Sequence, residues 1–345
     1  MIVYSATISL AQSWKPLPGG SLNGWVVSIT NFGGYVWIGG NFTMAGPVST
    51  DHIVRHDGNQ WVFTQGLPSG PNAFCEYNGE LFAFGAFAIG SIRYGAMKWN
   101  GSAWIPLCEI DNFGKINTAV VYGGTLIIGG SFYTIDGMPI TSLAKWDGTT
   151  WSAFSGTTTC FWTWPPRVYG LHVTNGCLYV AGSFDQLCGV SSDCAAKWDG
   201  SVWTGMSIGW NTSAIGFAHN SSGLYVTGTF LSAGGAVSPR VAKESVSGWT
   251  AVGNGVQLTP RAAETYLNRI YLAGGAAVAS GDYISNCGYW DGIRWVGDFS
   301  GISSGLVFDL HTDVSSGILY AGGTFSASSG SVADYIAYKG EISLP

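Results

Sequence analysis

Five histidines, seven cysteines and one aromatic-rich segment are the residues of this 345-residue chain whose types could do chemistry. His172, His219 and His311 each stand near the end of an apolar segment of similar type, and three imidazoles gathered at one axis could chelate a metal. Their offsets to the segments that follow differ, so the sequence predicts solvated rim histidines and no metal. His56 takes a place held by tryptophan in related segments, which marks it as a packing substitute; His52 has only a loop position. The cysteines (75, 108, 160, 177, 188, 194 and 287) contain no Cys-x-x-Cys pair, which argues against a zinc ribbon or a dithiol redox site. Cys188 and Cys194 flank "GVSSD" and either staple that loop or remain two thiols. No Gly-x-Ser-x-Gly elbow, phosphate-binding glycine loop or His-Glu-x-x-His is present. The sequence therefore predicts a protein that is not an enzyme and uses no cofactor.

The segment "SGTTTCFWTWPPR" (155–167) holds the candidate binding residues Phe161, Trp162, Trp164 and Arg167. Exposed aromatic rings stack on sugars or anchor a protein partner. The same rings could instead fold down as a plug over an axis, and the sequence leaves both possibilities open. Charge excludes other partners. With a net charge of -6, only 10% charged residues and no basic cluster, the chain lacks the footprint of a nucleic-acid binder. No uninterrupted apolar run of about 18 residues occurs, so no membrane-spanning helix is predicted. The start, "MIVYSATISLAQSW", has neither the basic nor the apolar region of a good signal peptide.

The elements that must position these residues are announced by repetition. A Gly-x-Phe motif recurs as "GGNF", "FGAF", "GGSF", "AGSF", "TGTF", a degraded "GGAA" and "GGTF". Its second glycine falls at 40, 85, 130, 182, 228, 275 and 323, with spacings of 45, 45, 52, 46, 47 and 48. The 52-residue spacing contains the aromatic segment. Each motif follows an apolar run such as "LIIGG" or "LYVAG", and most are followed by a second motif such as "KWDGTTW" (145–151) or "KWDGSVW" (197–203). Asp-Gly between apolar flanks is a strong hairpin signal. Taken as a two-residue type I′ turn, Asp147-Gly148 would place Trp146 opposite Thr149 and Ala144 opposite Trp151. The two indoles would then be diagonal neighbours filling the gap between adjacent units.

Each unit thus supplies about four strands, and helical periodicity is absent. The predicted fold is all-β: one seven-bladed propeller spanning 1–345, with blades near 18–66, 67–108, 109–155, 156–206, 207–252, 253–298 and 299–345. Residues 1–17, through "SWKPL" (13–17), are predicted to pair with the last blade and close the ring, which removes two open sheet edges. Tandem glycines would permit close backbone approach where inner strands crowd the axis.

The form "GGSFYTIDGMPITSLAKWDG" resembles the Gly-Gly-x-Phe repeats of kelch-like and galactose-oxidase-like propellers, over nearly the whole chain. That resemblance implies a propeller and no single activity, since the family serves mostly as scaffold and binding surface. The sequence thus predicts a binding or structural propeller of a larger extracellular assembly, such as a virion or phage surface. Its partners would be protein subunits or a surface glycan, met by the long-loop face. A glycan-binding lectin is the alternative, and a galactose-oxidase-like oxidoreductase a more remote one.

Overall fold

The computed structural model describes residues 13–154, 167–208, 213–246, 248–256, 259–275, 277–279, 282–284, 286–298, 302, 305–326 and 334–340. Phe161, Trp162 and Trp164 lie outside them. Seven four-stranded antiparallel sheets form a closed β-propeller, and no α-helix occurs among the described residues. Among these residues no helix is long and apolar enough to cross a membrane. The strands nearest the axis are Val26–Phe32, Ala73–Tyr77, Lys115–Tyr122, Arg167–Thr174, Ala214–Asn220, Pro260–Tyr266 and Val307–Asp313. Blade three continues outward through Thr125–Ser131, Leu143–Trp146 and Trp151–Ala153. Blade seven takes its outermost strand from the chain start: Lys15 pairs with Tyr338 and Pro16 with Ala337, which closes the ring as predicted.

The core is divided among the gaps between blades. Seven clusters of buried side chains each draw on two neighbouring blades, so no blade buries its faces alone. The motif phenylalanines Phe42, Phe87, Phe132, Phe184, Phe230 and Phe325 are all fully buried in these clusters or beside them.

The Asp-Gly turns differ from the sequence expectation. Trp146 pairs directly with Trp151 and Ala144 with Ala153, so four residues, not two, form the loop. The cause is the aspartate side chain: Asp147 Oδ1 accepts from the Thr149 and Thr150 amides, each at 2.8 Å. It thereby caps amides that a tight I′ turn would leave to the ladder. Asp57, Asn100, Asp199 and Asp291 do the same in their blades. The paired indoles are therefore opposite, not diagonal, with ring centroids 5.0 Å apart for Trp146–Trp151 and 5.3 Å for Trp198–Trp203. His56 substitutes for an indole as predicted, meeting Trp61 edge-on at 4.8 Å. Its Nε2 bonds the Pro18 carbonyl and its Nδ1 accepts from the Gly58 amide, which specifies the neutral tautomer.

One further expectation is corrected, and one alternative left open by the sequence is decided. In blade six, Pro260 pairs with Gly274, so Gly274 rather than Gly275 holds the motif position. The staple between Cys188 and Cys194 is absent: Cys194 is a buried thiol, while Cys188 is disulfide-bonded to a different cysteine.

Candidate functional site

The recurrent glycine and the start of each innermost strand make the site together. In six blades the ladder between the first two strands skips one residue near its start. The skipped residues are Val27, Asn117, Tyr169, Ile215, Arg261 and Phe308. A bulge of this kind redirects one side chain out of the sheet alternation. In blade two, Asn72 stands just ahead of its strand, and its amide donates to the Phe84 carbonyl. These seven residues, one from each blade, line a mouth of about 540 Å³.

The glycine is what allows the bulged segment to lie so close. A Cβ on Gly130 would meet the Lys115 carbonyl oxygen at 2.2 Å, and one on Gly182 the Arg167 oxygen at 2.1 Å. Equivalent clashes of 2.1, 2.2 and 1.9 Å arise at Gly40, Gly228 and Gly323. At Gly85, in the blade whose first two strands pair without a bulge, the nearest contact is the ring tip of Phe87 at 3.1 Å. The motif read as a fold signature is thus also the device that aims the ring of side chains.

The mouth is mixed in chemistry. Arg261 is exposed and its guanidinium lies 5.1 Å from the Phe308 ring centroid. Asn72 donates to the Ile116 carbonyl and Asn117 to the Val168 carbonyl, each at 2.8 Å, so both amides are held by the next blade with their side-chain oxygens available as acceptors. Lys115 and the predicted residue Arg167 begin the innermost strands of blades three and four and are exposed. Arg167 is therefore on the face of the mouth, close in sequence to Tyr169. It is not among the residues that line the mouth, and the three aromatic residues predicted beside it lie outside the described residues.

Deeper along the same strands, polar groups join three pairs of neighbouring blades at matching positions. His172 Nε2 and His219 Nδ1 are 2.8 Å apart, between blades four and five. His311 Nε2 donates to Asn31 Oδ1 at 2.7 Å, between blades seven and one, and Asn31 Nδ2 donates to Asp313 Oδ2. Thr312 Oγ1 donates to the Thr265 carbonyl at 3.0 Å between blades six and seven. The histidines are consequently inter-blade latches: His172 and His311 are partly buried, and only His219 remains exposed as predicted for a rim residue. Burial, reinforced at His172 by the facing His219, lowers the pKa of both His172 and His311 to about 4. Asp309 Oδ2 accepts from the Ile29 amide at 2.7 Å. Burial pushes the Glu264 and Asp309 carboxyls up to about 7, and the proximity of Glu264 adds to the effect on Asp309. No group of three or more potential metal ligands assembles among the described residues.

Sequence reasoning missed the mouth ring. Its only linear trace is a variable residue after a small apolar one, as in "VVS", "INT", "VYG", "AIG", "PRA" and "VFD".

No protein-family model matches the chain, and no curated protein does. Solved structures do. The extracellular domain of a putative one-component system from B. thetaiotaomicron is similar with a TM-score of 0.58 and 10% identity, over 96% of this chain and 40% of that one. The chain thus spans less than half the length of that neighbour. YCF48 bound to D1 peptide gives a TM-score of 0.54 at 12% identity, covering 96% of both chains. A computationally designed protein, Ika8, gives 0.53 at 11% identity, over 96% of this chain and all of that one. At such identities the likeness is one of fold.

Proposed function

We propose that this protein is a non-enzymatic binding propeller, a surface component of a larger extracellular assembly such as a virion or phage particle. It grips a protein neighbour or a surface glycan by its long-loop face. We read its repeats as kelch-like and galactose-oxidase-like in kind. The observation that carries the proposal is the ring of seven side chains at the axial mouth, six of them redirected by bulges for which the fold makes room with glycine in blade after blade. A bulge leaves one residue out of the ladder, and its repetition at a single face is the mark of a contact surface. The side chains fit contact rather than turnover: two aromatic rings, two amides, two aliphatics and a guanidinium. Arg261 brings positive charge to the mouth, and Lys115 and Arg167 begin neighbouring innermost strands on the same face of a chain whose net charge is -6, which suits a partner with an acidic group. The similar folds include an extracellular domain and a peptide complex, which accords with binding.

The test combines an array of neutral and acidic glycans with identification of what co-purifies from the native particle. The Arg261→Ala and Tyr169→Ala variants are expected to weaken capture about tenfold each while melting is nearly unchanged, since rim contacts rather than core are lost. Undiminished capture in both variants would exclude the mouth as the contact surface. Array hits without any co-purifying subunit would favour the lectin alternative, and redox turnover with bound copper the oxidoreductase.

A further inference from the structure

One position in the gaps between blades is solved in different ways around the ring. Between blades three and four, Phe154 meets Trp198 and Trp203 with ring centroids 5.6 and 5.2 Å apart. Between blades six and seven the places of Phe154 and Trp198 belong to Asp298 and Lys339. Lys339 pairs with Leu319 as Trp198 pairs with Leu178. There an ion pair of 2.5 Å, with both side chains buried, closes the gap.

Between blades four and five, the two places are held by Met206 and Glu244. Glu244 stands opposite Trp249 as Trp198 stands opposite Trp203. A thioether and a carboxylate offer each other neither ring stacking nor an ion pair. What remains is a pocket of about 420 Å³, lined by Glu244, Trp249, Met206, Lys197, Asp199 and Cys177 among others. Its volume is in the range of small-molecule sites.

The lining indicates what would fill it. Trp249 keeps the indole that elsewhere faces a second indole, and its Nε1 is already committed to the Met206 carbonyl at 2.6 Å. Two carboxylates, Glu244 and Asp199, and one ammonium, Lys197, line it. That ammonium is drawn toward the Tyr179 ring, 5.6 Å from its centroid, as well as toward Glu244. The pocket therefore has an aromatic wall, an excess of negative charge, and the place of one absent ring. We propose that it binds a small planar aromatic cation, with the ring in the position of the absent indole and the ammonium toward Glu244. This site is separate from the axial mouth and does not depend on the function proposed for it.

The test is calorimetric titration of the full chain with tryptamine, indole and indole-3-acetate. Tryptamine is expected to bind saturably at one site, with indole weaker and indole-3-acetate about tenfold or more below tryptamine. Glu244→Trp, which restores the indole pair, is expected to abolish tryptamine binding and raise the melting temperature. Glu244→Gln, which preserves shape, is expected to reduce tryptamine to the level of indole. That second variant keeps the test decisive if the first folds poorly. Absence of saturable tryptamine binding to the parent chain, or undiminished binding in either variant, would overturn the proposal.

Discussion

Single residues in this ring are governed by what faces them across a blade gap. Asp309 and Glu264 show the consequence. A carboxyl whose pKa is near 4 unfolded and about 7 folded costs the fold its full ionisation penalty above pH 7. That penalty falls away as pH drops through the window from 7 to 4, because the folded state then binds the extra proton. His311 runs the other way: its pKa of about 4 lies below the ordinary histidine value, so it costs nothing above about pH 6.5 and progressively more between 6.5 and 4. Asp309→Asn, which retains an acceptor for the Ile29 amide, is therefore expected to raise the melting temperature at pH 8.5 and leave it nearly unchanged at pH 4. A gain that is equal at both values would refute the assignment of the penalty to Asp309.

At the scale of elements, the bulge, the glycine and the ring side chain form one device. The innermost strand can approach its neighbour closely enough to bulge only where a Cβ is missing. Gly130→Ala would drive a methyl group to 2.2 Å from the Lys115 oxygen, a backbone atom that has no rotamer with which to yield. Gly85→Ala meets only a phenylalanine ring tip at 3.1 Å. The former is expected to cost about 1–3 kcal/mol, the range for overpacking, and the latter under about 1 kcal/mol. Urea denaturation of both variants checks the contrast, and equal losses would show that the bulge does not need the glycine. The turns follow a related rule. A side-chain oxygen from Asp or Asn caps two amides, and the extra length brings the indoles to directly opposite positions instead of leaving them offset.

For the whole molecule, stability depends on closing a ring whose two ends lie far apart in sequence. The strand Lys15–Pro16 completes blade seven, and Trp14 is buried in the cluster shared by blades six and seven. The Lys339–Asp298 pair sits in the same gap with 5% and 7% of each residue exposed, so water does little to screen it. Lys339→Met would strand a buried carboxylate and is expected to cost about 3–5 kcal/mol. The double variant Lys339→Trp with Asp298→Phe rebuilds the arrangement of Phe154 and Trp198 and is expected to recover most of that loss, since well-packed apolar pairs replace buried ion pairs at little cost. Thermal melts of the three proteins decide it, and a double variant no better than the single one would show that the two gaps are not equivalent.

By itself, the sequence determined the fold class, the number of blades and the closure by the chain start. Those follow from local periodicity: Gly-x-Phe at near-constant spacing, Trp-Asp-Gly hairpins, and a strand signal at 13–17 left over at one end. It also marked His56 as an indole substitute, because a repeat exposes any residue that departs from it. The turn length was misread at Asp147 because a backbone rule was applied where a side chain competes for the amides. The tertiary structure alone decided the rest. Val27, Asn72, Asn117, Tyr169, Ile215, Arg261 and Phe308 are of six residue types and are separated by 45 or more positions, so only ring closure brings them to one mouth. His172 with His219, and Glu244 with Lys197, likewise interact only across a gap between blades. A repeat encodes what each blade does to itself, whereas chemistry between blades depends on which neighbour the closed ring supplies.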